Sequence, residues 1–161
     1  MVQPRKSVAN YSITAAGVAH AALLSNLQQA AYSPQGERVW SAKSFAETLS
    51  AHGVLARIIE VAKAPVGFCL MRVVAREAEV LTIGILPTAQ QQGLGKALLL
   101  NCIEAARKTG SKTVFLEVRA DNSTAIPMYR ACGFLENGKR ENYYRLENGQ
   151  LRDAATYCLN L

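Results

Sequence analysis

The residues of this chain whose types and spacing suit chemistry lie between Gln90 and Tyr129. Gln90-Gln91-Gln92-Gly93-Leu94-Gly95-Lys96 follows an apolar run of strand character and opens a run of helical character. A helix start carries unpaired backbone N–H groups and the positive end of the helix dipole, so it favours an anion. Gly93 and Gly95 let the backbone approach such a group closely, and Lys96 adds a positive charge in the first turn. A pyrophosphate is the ligand class this describes, although an ordinary turn fits the same residues. Further on, Glu117 stands in the apolar run Val114-Phe115-Leu116-Glu117-Val118, where a buried carboxylate must be paired or serve as a base. Tyr129 lies seven residues after Asn122 on a predicted helix, sharing a face with Ile126 and able to donate a proton. From spacing alone, a Glu117 facing water at a sheet edge and a Tyr129 filling the core are equally open readings.

Several chemistries are disfavoured. A Walker A loop needs glycine at position 90 and Ser or Thr at 97, where Gln90 and Ala97 stand. A dinucleotide fingerprint needs its third glycine at Leu98, and the strands before it read as antiparallel. Cys69, Cys102, Cys132 and Cys158 are widely spaced among apolar neighbours, and His20 and His52 have no ligand-spaced companions, so no metal and no disulfide is expected. The net charge of +6 attracts polyanions at long range, yet the basic residues are spread from Arg5 to Arg152 without a dense block. Stable nucleic-acid binding is therefore not expected. No apolar run approaches the roughly 20 residues of a membrane span, and the first residues lack a secretory pattern, so a cytoplasmic location is expected.

These residues need elements to hold them. With 161 residues, half of them hydrophobic, residues 1–161 read as one domain with its own core. The first half reads as helical: Val18–Gln29 is rich in Ala and Leu, and Ser41 is placed to cap a helix through Phe45 and Leu49. Ala56–Val61, Val66–Val74 and Val80–Ile85 read as consecutive antiparallel strands. A helix over Lys96–Lys108 ends at Gly110; Thr113–Val118 is another strand; a helix capped by Asn122 runs to Ala131 and ends at Gly133. Strands around Phe134–Tyr144 and Ala154–Leu159 complete an α+β fold, a mixed and mostly antiparallel twisted sheet flanked by helices.

The pattern Gln-x-x-Gly-x-Gly between a strand and a long helix resembles the GNAT superfamily of acyltransferases, whose loop holds the pyrophosphate of coenzyme A. Leu116-Glu117-Val118-Arg119-Ala120-Asp121-Asn122, Met128-Tyr129, Gly133-Phe134 and Arg140-Glu141-Asn142-Tyr143-Tyr144 resemble one branch of it, the bacterial ribosomal-protein-alanine N-acetyltransferases of the RimI type. Trp40-Ser41 with Phe45 is similar to that branch's early helix. The resemblance implies acetyl-CoA as cosubstrate, Glu117 as general base through water and Tyr129 as general acid. It implies that Asn122 meets the pantetheine arm and that backbone atoms of Ile83, Gly84 and Ile85 align the thioester. By the same resemblance Gln91, Gln92, Gly93, Leu94, Gly95 and Lys96 hold the pyrophosphate, and Tyr143 and Tyr144 line the acceptor cleft. The chain departs from the pattern at Gln91, commonly Arg, at Asp121, commonly Ser, at Pro127 inside the helix, and in an inserted segment Ser33–Arg38. Pro127 is expected to bend the turn that presents Tyr129.

The implied acceptor is the N-terminal alanine of a small-subunit ribosomal protein, presented on a basic tail. An α-amine, with a pKa of about 7.7–8.0 against about 10.4 for lysine, is the easier nucleophile at neutral pH. A basic tail calls for a local acidic patch, expected around Glu136, Glu141 or Asp153. The alternatives are transfer to small amines or protein lysines and, in another class, a non-catalytic CoA-responsive or RNA-binding module.

Overall fold

A computed structural model describes residues 10–161. Seven strands, β1 (Tyr11–Ala16), β2 (Val54–Val61), β3 (Ala64–Val74), β4 (Glu77–Ile85), β5 (Thr113–Arg119), β6 (Leu135–Arg145) and β7 (Leu151–Asn160), form one sheet in the order β1-β2-β3-β4-β5-β7-β6. All neighbours are antiparallel except β4 and β5, which are parallel because a helix connects them. Four α-helices flank the sheet: α1 (Ala21–Tyr32), α2 (Ala42–Ser50), α3 (Leu94–Lys108) and α4 (Ala125–Ala131). The mixed, mostly antiparallel α+β fold expected from the sequence is the one observed.

The sheet separates two cores. Helix α3 buries Leu94, Leu98, Leu99, Cys102, Ile103 and Ala106, a stripe at helical spacing, against Cys69, Met71, Val80, Val114 and Leu116. On the other face Leu24 and Leu27 of α1 and Phe45 of α2 cover Ala56, Ile58, Phe68 and Leu70. Strand β3 is thus buried on both faces, which explains its unbroken apolar run. Ser41 caps α2 as expected, its hydroxyl accepting from the Ser44 N–H at 3.1 Å. Gly110 and Gly133, both with φ +92°, follow the ends of α3 and α4.

Three expectations require correction. The first half is not purely helical: Tyr11–Ala16 is an edge strand, short and mostly exposed, with only Ile13 and Ala16 partly buried. Helix α4 begins at Ala125, later than expected, although Asn122 still caps its entry: Oδ1 accepts from the Ala125 N–H at 3.0 Å and the carbonyl from the Ile126 N–H at 3.2 Å. Pro127 consequently lies in the first turn of α4 rather than in its interior, a position where proline is tolerated.

Two irregularities open the sheet at its centre. Leu70 pairs with Thr82 and Met71 with Val80, leaving Leu81 as a surplus residue in a β-bulge. Core-facing positions change parity there, from Ala78 and Val80 to Ile83 and Ile85, both pairs packing on the α3 side. Pairing of β4 with β5 covers only Glu77, Ala78 and Glu79 opposite Thr113, Val114 and Phe115, after which the two strands diverge.

Candidate active site

The divergence creates a cavity of about 970 Å³ between the C-terminal ends of β4 and β5. Along β4, Gly84 pairs with Phe68 and the Leu86 N–H bonds to Val66, so the backbone groups of Ile83 and Ile85 point to the open side. Their carbonyls are already engaged. The Ile83 carbonyl accepts from the Tyr32 hydroxyl at 2.9 Å and the Ile85 carbonyl from Gln90 Nε2 at 3.0 Å. What the opening presents is therefore the N–H groups of Ile83 and Ile85, next to a wall containing Gly84. A Cβ on Gly84 would lie 2.8 Å from Phe68 Cε1 and 3.1 Å from Ala31 Cβ, so glycine here lets α1 press against the strand.

Tyr32 belongs to a relay that the sequence did not announce. Gln28, 1% exposed, accepts from the Trp40 N–H at 2.5 Å and donates through Nε2 to Thr82 Oγ1 at 3.0 Å. Thr82 Oγ1 lies 2.9 Å from the Tyr32 hydroxyl. Because Tyr32 has a single proton and gives it to Ile83, the order must run Gln28 to Thr82 to Tyr32 to the Ile83 carbonyl. Burial pushes the Tyr32 phenol up to about 12, which keeps that proton in place.

At the far end of β4, Gln91 (φ +58°) and Gly93 (φ +78°) adopt left-handed conformations that curl the loop into the start of α3. The first N–H groups of α3 point out of this curl, and the Ala97 N–H makes the first helical bond, to Gly93. Gln91, Gly93, Gly95 and Lys96 line the cavity; Gln92 and Leu94 do not. Leu94 is buried in the core, and the Gln92 side chain turns back to Thr88, so any ligand contact from these two is through backbone. A Cβ on Gly95 would come within 3.0 Å of Met128 Sδ, so this glycine seats α3 against α4.

Glu117 projects from β5 on the face opposite Leu116 and Val118, with its side chain 24% exposed and Oε1 2.9 Å from Arg140 Nε. Neither a solvent-facing edge residue nor an unpaired buried one, it carries a cationic partner. Tyr143 stands beside it, its phenol pushed up chiefly by the neighbouring Glu117 carboxylate. Burial is the first cause of the raised phenol of Tyr144. Tyr129, 5% exposed, packs edge-on to Phe134 with centroids 6.0 Å apart, and burial raises its phenol well above the ordinary value. It both fills core and lines the cavity, and its hydroxyl has no hydrogen-bond partner among the described residues. Asn122 Oδ1 accepts from the Ala125 N–H at 3.0 Å, which leaves its NH₂ group as the part facing the cavity.

The remaining wall comes from the segment between α1 and α2, where Ser33–Gln35 form a short turn closed by Gly36 at φ +64°. Arg119 anchors it, donating to Glu37 at 3.1 Å and to the Gln35 carbonyl at 3.2 Å while gripping Asp121 through two nitrogens at 2.9 and 3.0 Å. Burial pushes the Glu37 carboxyl above its ordinary value against the pull of Arg119, which in turn holds Asp121 below its own. The expected acidic positions are elsewhere: Glu136 pairs with Arg130 and Tyr157, Asp153 with Lys139, and Glu141 is exposed. Glu37, Glu117 and Asp121 line the cavity instead. Among the described residues there is no metal-ligand cluster, and no helix is long and apolar enough to cross a membrane.

A diverging parallel pair with open N–H groups, followed by an anion-binding helix start, is the frame of an acyltransferase that holds a phosphorylated carrier, and the comparisons agree. The model of the acetyltransferase (GNAT) family matches residues 21–134, and the chain belongs to that family. It is 38% identical over 111 residues to the [ribosomal protein bS18]-alanine N-acetyltransferase of Escherichia coli strain K12, covering 69% of this chain and 74% of that protein. It is 44% identical over 70 residues to the N-alpha-acetyltransferase RimI of Mycobacterium tuberculosis, covering 44% of this chain and 42% of that one. The crystal structure of the E. coli ribosomal-protein-S18-alanine N-acetyltransferase superposes with a TM-score of 0.84 at 32% identity over 94% of each chain. Arabidopsis thaliana NAA60 in complex with acetyl-CoA shares the fold at a TM-score of 0.81 and 16% identity, covering 94% of this chain and 99% of that one.

Proposed function

We propose that the protein transfers the acetyl group of acetyl-CoA to the N-terminal alanine amine of the small-subunit ribosomal protein bS18. The observation that carries this is the 38% identity to the E. coli enzyme of that name, extending over 74% of it. The cosubstrate supplies an acetyl thioester, and the residues present fit it. The N–H groups of Ile83 and Ile85 are donors with no strand partner, suited to the thioester oxygen and the pantetheine amides. The curl at Gln91 and Gly93 with the N-terminus of α3 suits the pyrophosphate, and Lys96 supplies the cation that Gln91 does not. The Asn122 NH₂ group meets the pantetheine arm.

Glu117 takes the proton of the acceptor amine, directly or through one water. At neutral pH an α-amine is neutral roughly 300 times more often than a lysine, so a modest base serves it. Tyr129 supplies a hydrogen bond and a proton at the departing sulfur. Its raised phenol stays protonated across the neutral range, which a proton donor requires. Tyr143, Tyr144 and the Glu37 segment form the acceptor's walls, and Glu37 and Asp121 suit the approach of a basic tail.

The test is a basic peptide with a free N-terminal alanine and one internal lysine, incubated with acetyl-CoA and mapped by fragmentation mass spectrometry. Acetyl on the alanine, lost in Glu117→Gln, is expected. Acetyl on lysine alone, or none despite acetyl-CoA binding, overturns the reading in favour of another amine or a non-catalytic module.

A further inference from the structure

Glu117 is a partition between two cavities. One is the cleft described above; the other, of about 590 Å³, lies over the sheet face beyond α1 and is bordered by Arg72, Glu79, Phe115, Thr156 and Arg140. Glu117 and Leu116 line both, Tyr143 lines only the first, and Arg140 only the second. The guanidinium thus reaches the carboxylate from behind, its Nε 2.9 Å from Oε1, and its carbon lies 5.3 Å from the centre of the Tyr143 ring.

The backbone is shaped to allow this. Arg140 pairs with Ala154 and Tyr144 with Arg152, so Glu141, Asn142 and Tyr143 together face the single residue Asp153. Asn142 takes φ +51°, its N–H donating to Asp153 Oδ1 at 2.9 Å, while Lys139 holds Oδ2 at 3.1 Å. Strict alternation would send Tyr143 to the face opposite Arg140 and Tyr144. The wide bulge lets Arg140 and Tyr143 reach Glu117 together.

We propose that Arg140 is the positioning residue of Glu117, an inference that rests on Glu117 being the base. By fixing Oε1 from the second cavity, the planar guanidinium sets the carboxylate's rotamer and leaves Oε2 directed to the acceptor side. Stacking on Tyr143 ties the same orientation to the wall of the acceptor cleft. Arg140 does not line that cleft, so it acts on the reaction through the side chains it holds, Glu117 foremost and Tyr143 beside it, and not by touching the acceptor.

The test is a double-mutant cycle of Arg140→Gln and Glu117→Gln, with Arg140→Lys as a third variant, read as kcat and KM for an alanine-starting peptide. Arg140→Gln is expected to lower kcat roughly tenfold, the size of effect that a small misplacement of a reacting group produces, with the KM for acetyl-CoA unchanged within about twofold. Arg140→Lys should recover part of the loss, since it restores the charge without the planar stack. In the Glu117→Gln background, Arg140→Gln should cost nothing more. An unchanged kcat in Arg140→Gln, or an equal loss in both backgrounds, overturns the proposal while leaving the base reading intact. A wild-type kcat in Glu117→Gln removes the base reading itself and the proposal with it.

Discussion

Replacing Tyr32 by Phe removes one oxygen atom and breaks the relay that ends on Ile83. Two hydrogen bonds disappear, Thr82 to Tyr32 and Tyr32 to the Ile83 carbonyl, both 2.9 Å long and partly buried. Each contributes on the order of 1 kcal/mol net, and the ring still fills its place, so the loss is about 2 kcal/mol. For a chain of this length that lowers Tm by about 4–8 °C. Thr82→Val should cost at least as much, because it also strands the Gln28 amide, which is buried and has Thr82 as the acceptor of its Nε2. Differential scanning calorimetry of the two variants and the double variant checks this. The double variant should fall well short of the sum, since both changes break the same chain. A Tyr32→Phe midpoint within about 1 °C of the parent, or strict additivity, would refute the relay.

Gly84→Ala places a methyl 2.8 Å from the buried Phe68 ring and should destabilise by about 1–3 kcal/mol, relieved by Phe68→Leu; urea unfolding reads both. Gly93→Ala meets no atom within 4 Å, so its effect is through backbone alone: at φ +78° it should weaken acetyl-CoA binding by calorimetry, and Gly93→Asn, which tolerates that conformation, should weaken it less. Asp121 is held below its ordinary value by Arg119, so its contribution to stability is present above about pH 3.9, its unfolded value, and is lost as pH falls toward its lower folded value. Asp121→Asn should flatten the decline of Tm between about pH 4 and pH 2, and an unchanged acid slope would show that the pairing with Arg119 is not felt.

Elements with strong local patterns were legible in the sequence. The unbroken apolar run of β3 and the helical stripe of α3 mark their own burial, and Ser41, Gly110 and Gly133 mark helix ends. Strand β1 was overlooked although Tyr11-Ser12-Ile13-Thr14-Ala15 alternates, because six mostly exposed residues at a sheet edge give too short a pattern to stand out. In the site, the glycine loop stood out by type and spacing, whereas Glu117, Asn122 and Tyr129 took their roles from the family resemblance, spacing alone leaving Glu117 and Tyr129 open. Tyr32 and Glu37 stood out by neither: their partners lie 51 and 82 residues away, and nothing local distinguishes them from surface helix and loop residues. Arg140 stood within a motif, but its route to Glu117 depends on the bulge opposite Asp153, which no periodicity encodes. Gln90 lines the cavity with the rest of its loop and also fastens that loop to β4.

The surplus residue Leu81 sets sheet closure against catalysis. Without it, Val80 and Thr82 would pair with the adjacent Met71 and Leu70 in an unbroken ladder, and every later side chain of β4 would keep its present face. Nothing in the patterning of the strand requires the extra residue. Its effect is mechanical, a local bend just past the last rung shared with β5, which keeps two parallel strands from zipping shut. A chain lacking Leu81 should therefore make a tidier sheet with a higher midpoint and should lose its grip on acetyl-CoA, the two measured together in one melting series with and without the cosubstrate.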